Sequence, residues 1–204
     1  MATDNDKQIE AATISVYEGY NIKVPVLIAK NIVEMFGNDG WEVLEKTYKE
    51  FMKMPDGSIT YRNIIRFPVL LVKNVADTFG DKGWEALEKS AKEFAEYRVP
   101  FMRFLVDDPE NARSLGKIFD FEDNLGGLEN EWVKTDAKDA IKIEKKCPGA
   151  EIYKEYPPFC GKFLYAIARE TIKLINPKVH LEPFDKAKCI VYGDDCCEVK
   201  IKLP

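Results

Sequence analysis

The chain has 204 residues, 46% of them hydrophobic and 32% charged, with a formal net charge of −5. That length buries one sizeable core or two small ones. The acid excess lacks the basic, aromatic-interleaved stripe of a nucleic-acid binder, and the longest apolar runs, such as residues 67–72, fall far short of a bilayer span, so neither nucleic acid nor membrane is expected as a partner.

The N-terminal stretch is polar and acidic, without an apolar signal core. Residues 1–16 therefore read as a flexible tail, and the expected location is the cytoplasm. Residues 17–97 carry an internal repeat: 22–51 aligns without gaps on 65–94, an offset of 43, with 17 of 30 positions identical. Self-similarity of this strength marks a duplicated unit. Each copy reads as helix, tight turn, helix. Pro25 and Pro68 suit a first helical turn, and Gly37 and Gly80 suit the left-handed position that ends a helix. The second helix of each copy is expected to bury Trp41, Leu44, Tyr48 and Phe51, or Trp84, Leu87, Ala91 and Phe94, at helical spacing. Both tryptophans read first as core residues and alternatively as pocket walls.

Residues 98–127 form a connecting segment. Asp108-Pro109-Glu110 predicts a helix start, with the helix running to about Phe119 and a break at Gly126-Gly127. From residue 128 to 204 the pattern changes. Leu128–Thr135 and Asp139–Lys146 predict two strands; the mixed charges of 142–146 read as a solvated face. Phe159–Ile175 predicts a helix ended by Asn176-Pro177. Val179–Tyr192 and Cys196–Leu203 predict a closing antiparallel pair around Gly193-Asp194-Asp195. The class is therefore α+β: duplicated helical hairpins, then a small antiparallel sheet with a packed helix. Four amphipathic helices beside one small sheet leave apolar surface to cover, so a homodimer is expected.

Five cysteines, four of them spread through the last third as Cys147, Cys160, Cys189 and Cys197, suggest a metal or a reactive thiolate rather than disulfides. Cys160 opens a helix, where dipole and free N–H groups favour a thiolate. Thiolates of Cys160, Cys189 and Cys197 would suit zinc, with Cys147, His180, Glu182 or Asp185 as a fourth ligand. An iron–sulfur cluster on the four cysteines is a weaker alternative, and small buried hydrophobes are the plain one. Cys196 faces away from Cys197.

The tail carries Cys147-Pro148, Cys160, Asn176-Pro177-Lys178-Val179, Lys188 and Gly193-Asp194-Asp195-Cys196-Cys197-Glu198. In these residues it resembles the L-2-amino-thiazoline-4-carboxylic acid hydrolase family, and the repeat's glycine and leucine pattern resembles that family's N-terminal helices. The same tail is similar to the 4-vinyl reductase domain, a hydrocarbon-binding module. That second resemblance implies zinc on Cys160, Cys189 and Cys197, although Lys186 stands where an acidic ligand would. Two functions are in competition. One is a hydrolase of a small heterocyclic or amide-like C–N bond, with Cys160 as nucleophile or a metal activating water. The other is a non-catalytic module that holds a small apolar molecule, with structural zinc. Either predicts a pocket near Cys160, lined by Trp132, Phe163 and Tyr165, with Trp84 as a further wall.

Overall fold

The computed structural model describes residues 3–53 and 61–204, with the backbone alone at 61–64. The expected tail is a helix instead. α1 (Asp4–Glu18) is closed by a capping box, in which the Thr3 hydroxyl accepts from the Asp6 N–H and the Asp6 carboxylate accepts from the Thr3 N–H. It buries Ala12 and Ser15. A π-helical turn, Gly19–Lys23, leads into α2 (Val24–Phe36) and α3 (Asn38–Met52). α4 (Tyr61–Met102) is broken at Gly80.

The breaks at Gly37 (φ 58°, ψ −125°) and Gly80 (φ 56°, ψ −131°) share one conformation, in the positive-φ region that favours glycine. Three residues on, Gly40 and Gly83 sit against the carbonyl oxygens of Ile32 and Val75, where an added Cβ would lie 2.5 and 2.6 Å away. The second helix of each hairpin is thereby folded tightly onto the first. Contacts between hairpins exchange the two copies. Asn31 Nδ2 donates to Ser90 Oγ at 3.0 Å, and its counterpart Asn74 Nδ2 donates to Thr47 Oγ1 at 3.1 Å. Phe36 stacks on its own counterpart Phe79, with ring centroids 3.8 Å apart and planes within 3°.

The expected buried face holds in one copy only. Leu87, Ala91 and Phe94 are fully buried and Trp84 is half-buried, whereas Trp41 and Tyr48 are 61% and 58% exposed, leaving Gly40, Val43 and Thr47 as the buried positions of α3. The reason is what each hairpin faces: the half of α4 after Gly80 packs against the tail, and the matching outer side of α3 has no such neighbour among the described residues.

The helix expected from Asp108 starts later. Asn111 caps it, accepting from the N–H groups of Arg113 and Ser114, and two short helices follow, α5 (Ala112–Leu115) and α6 (Lys117–Gly126). Gly127, at φ 70°, ends α6. Then come β1 (Glu129–Thr135), β2 (Asp139–Lys146), the short α7 (Ala150–Tyr153), a π turn (Phe159–Leu164), α8 (Tyr165–Ile175), β3 (His180–Leu181) and β4 (Cys197–Lys202). The sheet is antiparallel throughout, in the order β1-β2-β4-β3. The predicted long hairpin over 179–203 is corrected: only His180 and Leu181 pair with β4, and Ile190–Tyr192 forms a 3₁₀ turn. Pro183 in the intervening stretch cannot donate to a ladder.

One core lies between the hairpins and the Phe159–Ile167 stretch. The other lies between α8, the sheet and α5–α6.

Candidate active site

β2 runs Asp139-Ala-Ile-Lys-Ile-Glu. Its apolar isoleucines suggest that they face the core, but the inward set is Ala140, Lys142 and Glu144. Ala140 and Lys142 are fully buried, so the solvated face expected for 142–146 is corrected at Lys142. Lys142 is neutralised by an ion pair with Asp123 and by Asp120, 3.4 Å from its Nζ. Asp123 also accepts from Asn130 Nδ2 at 3.0 Å. On the neighbouring strand, Cys197 pairs in register with Glu144 and Val199 with Lys142, so all four share one face.

The loop before β4 brings the thiols together. Tyr192 lies over Gly161, where any side chain would strike its hydroxyl, and donates to the Pro157 carbonyl at 3.3 Å. The 3₁₀ turn is thus pressed against the π turn that carries Cys160. Asp194 accepts from the Cys189 N–H at 2.8 Å and tightens the loop. Cys189 Sγ and Cys197 Sγ stand 3.7 Å apart, and the Ile190 N–H points at Cys197 Sγ, 3.3 Å away.

These contacts set the proton positions. Hydrogen bonds from Cys160 and Cys197 lower the Cys189 thiol to about 3, so the thiolate resides there. The same bonds, with burial, push Cys160 and Cys197 up. Cys160 therefore keeps its proton, against the helix-start expectation. Its turn is π-helical, and its sulfur meets an anion rather than an unshared set of N–H donors. Burial raises Cys147 to about 11. Burial, with the nearby Asp123 charge, raises Glu144 to about 8. Asp123 is raised to about 6 by burial, which Lys142 opposes.

Cys147, Cys160, Cys197, Glu144 and Asp123 all open onto a cavity of about 260 Å³ between the sheet, α8 and the N-terminal helices. Its other walls are mainly apolar. The first π turn contributes Tyr20 and Asn21, and the second contributes Phe159, Cys160 and Leu164. Single π turns recur at functional sites because they redirect side chains. Tyr20 is fixed by Arg98, whose guanidinium donates to its hydroxyl at 2.7 Å and pairs with Glu122 at 2.6 Å.

The expected aromatic lining lies elsewhere. Trp132 donates to Asp120 at 2.8 Å and stacks under Arg113. Phe163 is buried in the hairpin-facing core. Tyr165 donates to the Leu181 carbonyl at 3.2 Å. Trp84 lies under Lys162. The aromatic walls are instead Tyr17, Tyr20, Phe119, Tyr153, Phe159 and Phe184. His180 is an exposed edge-strand residue, and neither it, Glu182 nor Asp185 borders the cavity. Among the described residues, no group of three or more histidine, cysteine, aspartate or glutamate side chains is placed to hold a metal ion. The sulfurs of Cys160, Cys189 and Cys197 satisfy one another.

A family model described as L-2-amino-thiazoline-4-carboxylic acid hydrolase matches residues 58–201. The chain belongs to this family. The match spans the second helical copy, the sheet and every cysteine, and leaves residues 1–57 outside it. It does not show the likeness to the vinyl-reductase domain. No curated protein and no solved structure matches. No described helix is long and apolar enough to cross a membrane.

Sequence reasoning missed Glu144, Asp123 and Lys142. The signal was present in β2, where two charged residues alternate with isoleucines. Alternation shows which residues share a face, not which face is buried.

Proposed function

We propose that this family member hydrolyses a C–N bond of a small cyclic amidine, a class that includes the thiazoline in the family's name. The observation that carries the reading is that one largely apolar cavity is lined by both a thiol backed by a thiolate and a carboxyl group held protonated near neutrality. As the Cys160 sulfur bonds to the amidine carbon, the negative charge that the two sulfurs share through their hydrogen bond shifts from Cys189 to Cys160 and the proton moves to Cys189. Glu144 gives its proton to the departing ring nitrogen, which opens the ring and leaves the carbon bound to Cys160. The Glu144 carboxylate then takes a proton from water. The water oxygen adds to that carbon, and Cys160 departs as a thiolate and recovers its proton from Cys189. A carboxyl raised to about 8 suits a group that must be acid and then base near pH 7.

Turnover of 2-amino-thiazoline-4-carboxylate and of its decarboxylated analogue tests this. Cys160→Ser should lower kcat by roughly a thousandfold or more, and Glu144→Gln by about a hundredfold or more, with the fold intact by circular dichroism. Wild-type protein that turns over neither compound, nor other cyclic amidines, would sink the hydrolase.

The second reading is a binding module with zinc on the cysteines. One distance favours it: 3.7 Å between Cys189 and Cys197 sulfurs suits two corners of a tetrahedron with Zn–S bonds of about 2.3 Å. Metal analysis of protein purified without oxygen separates the two. Stoichiometric zinc whose removal melts the protein, together with absent turnover, selects the module.

A further inference from the structure

The most exposed apolar side chains of the first hairpin are five: Ile22 (61%), Val26 (54%), Trp41 (61%), Tyr48 (58%) and Met52 (61%). Their counterparts 43 residues on are Ile65, Val69, Trp84, Ala91 and Ala95. Val69, Ala91 and Ala95 are 2%, 0% and 0% exposed, and the other two are half-buried. The second hairpin uses this side to receive the tail, through the Phe159–Ile167 stretch. The first hairpin presents the same side without a cover among the described residues, and at two positions, Tyr48 and Met52, it carries larger apolar side chains than the second. Selection for water exposure alone would have placed polar residues there. An apolar face of this kind marks an interaction surface.

We propose that this face joins two copies of the chain, α3 packing antiparallel on α3 about a twofold axis near Tyr48. Charge selects a second copy over another partner. Along the exposed rim of α3, Glu42 and Glu45 stand in the first half and Lys49 and Lys53 in the second, with Lys46 between them and Glu45 pairing with Lys49 of its own chain at 2.6 Å. An antiparallel pair centred between residues 47 and 48 sets Glu45 against Lys49 of the partner and Glu42 against Lys53 of the partner, with Trp41 over Met52 of the partner and the two Tyr48 rings near the axis. A self-complementary patch of this form is what a twofold interface requires, and opposite charges at its rim fix the register. The pairing leaves the cavity untouched, since none of the five side chains borders it.

Light scattering and sedimentation of the purified full chain at micromolar concentration test the pairing. The expected mass is twice the 23.4 kDa of one chain. Tyr48→Glu and Met52→Glu, both at exposed positions, should each yield monomer with unchanged circular dichroism. Glu45→Lys should weaken the dimer at least about tenfold by opposing like charges across the axis, and Glu45→Lys combined with Lys49→Glu should restore it. Wild-type protein that stays monomeric, or a dimer that survives Tyr48→Glu, would overturn the proposal. So would a charge exchange that fails to rescue.

Discussion

Lys142 and Glu144 sit two residues apart on one strand and meet opposite fates. Lys142 is fully enclosed yet faces Asp123 and Asp120. Removing one member of a buried pair strands the other. Lys142→Ala should therefore cost about 3–5 kcal/mol, read from urea unfolding. Glu144 enters no ion pair among the described residues, and burial, which Lys142 only partly opposes, raises it from the ordinary 4.5 to about 8. The sign of its pH effect follows. Between those values the unfolded chain has lost the proton and the folded chain still binds it, so stability falls as pH rises through the window. Glu144→Gln should flatten that part of the stability–pH curve and leave the variant more stable than wild type near pH 8. A curve of unchanged slope would mean that Glu144 ionises freely in the folded protein. The cysteines follow the same logic of neighbours over position: the thiolate lies at Cys189, where two thiols converge, and not at the start of a helix.

At the scale of elements, the hairpins were legible because their signal is local. A repeated glycine at an offset of 43 fixes both breaks, and each second helix begins where Gly40 or Gly83 lets two backbones meet. Alanine at either position brings a Cβ to 2.5 or 2.6 Å from a carbonyl oxygen. Gly40→Ala and Gly83→Ala should each destabilise the protein by about 1–3 kcal/mol or more in thermal or urea unfolding. An equally stable variant would show that the helices separate without cost. The α8 helix, β1 and β2 were legible too. Which residues they bury was not, because burial depends on what another part of the chain presents. Trp41 and Trp84 occupy matching positions, and only the second has the tail beside it. Residues 182–189 read as a strand by composition, but the tight loop held by Asp194 draws Cys189 toward the π turn and leaves two residues to pair with β4. The thiols were legible as a group; their apolar chamber was not, because its walls come from segments more than 100 residues apart.

At the scale of the molecule, the cavity joins stretches that lie far apart in the chain. Cys147, Cys160, Cys197 and Glu144 fall inside residues 58–201, which the family model matches, while Val16, Tyr17, Tyr20, Asn21 and Val24 on the opposite wall precede it. Arg98 ties the two together through Tyr20 and Glu122. The cysteines with Glu144 and the wall that faces them thus come from different parts of the chain. Substitutions in α1 and the first π turn would reshape that wall without touching the cysteines or Glu144, provided the arginine latch still closes.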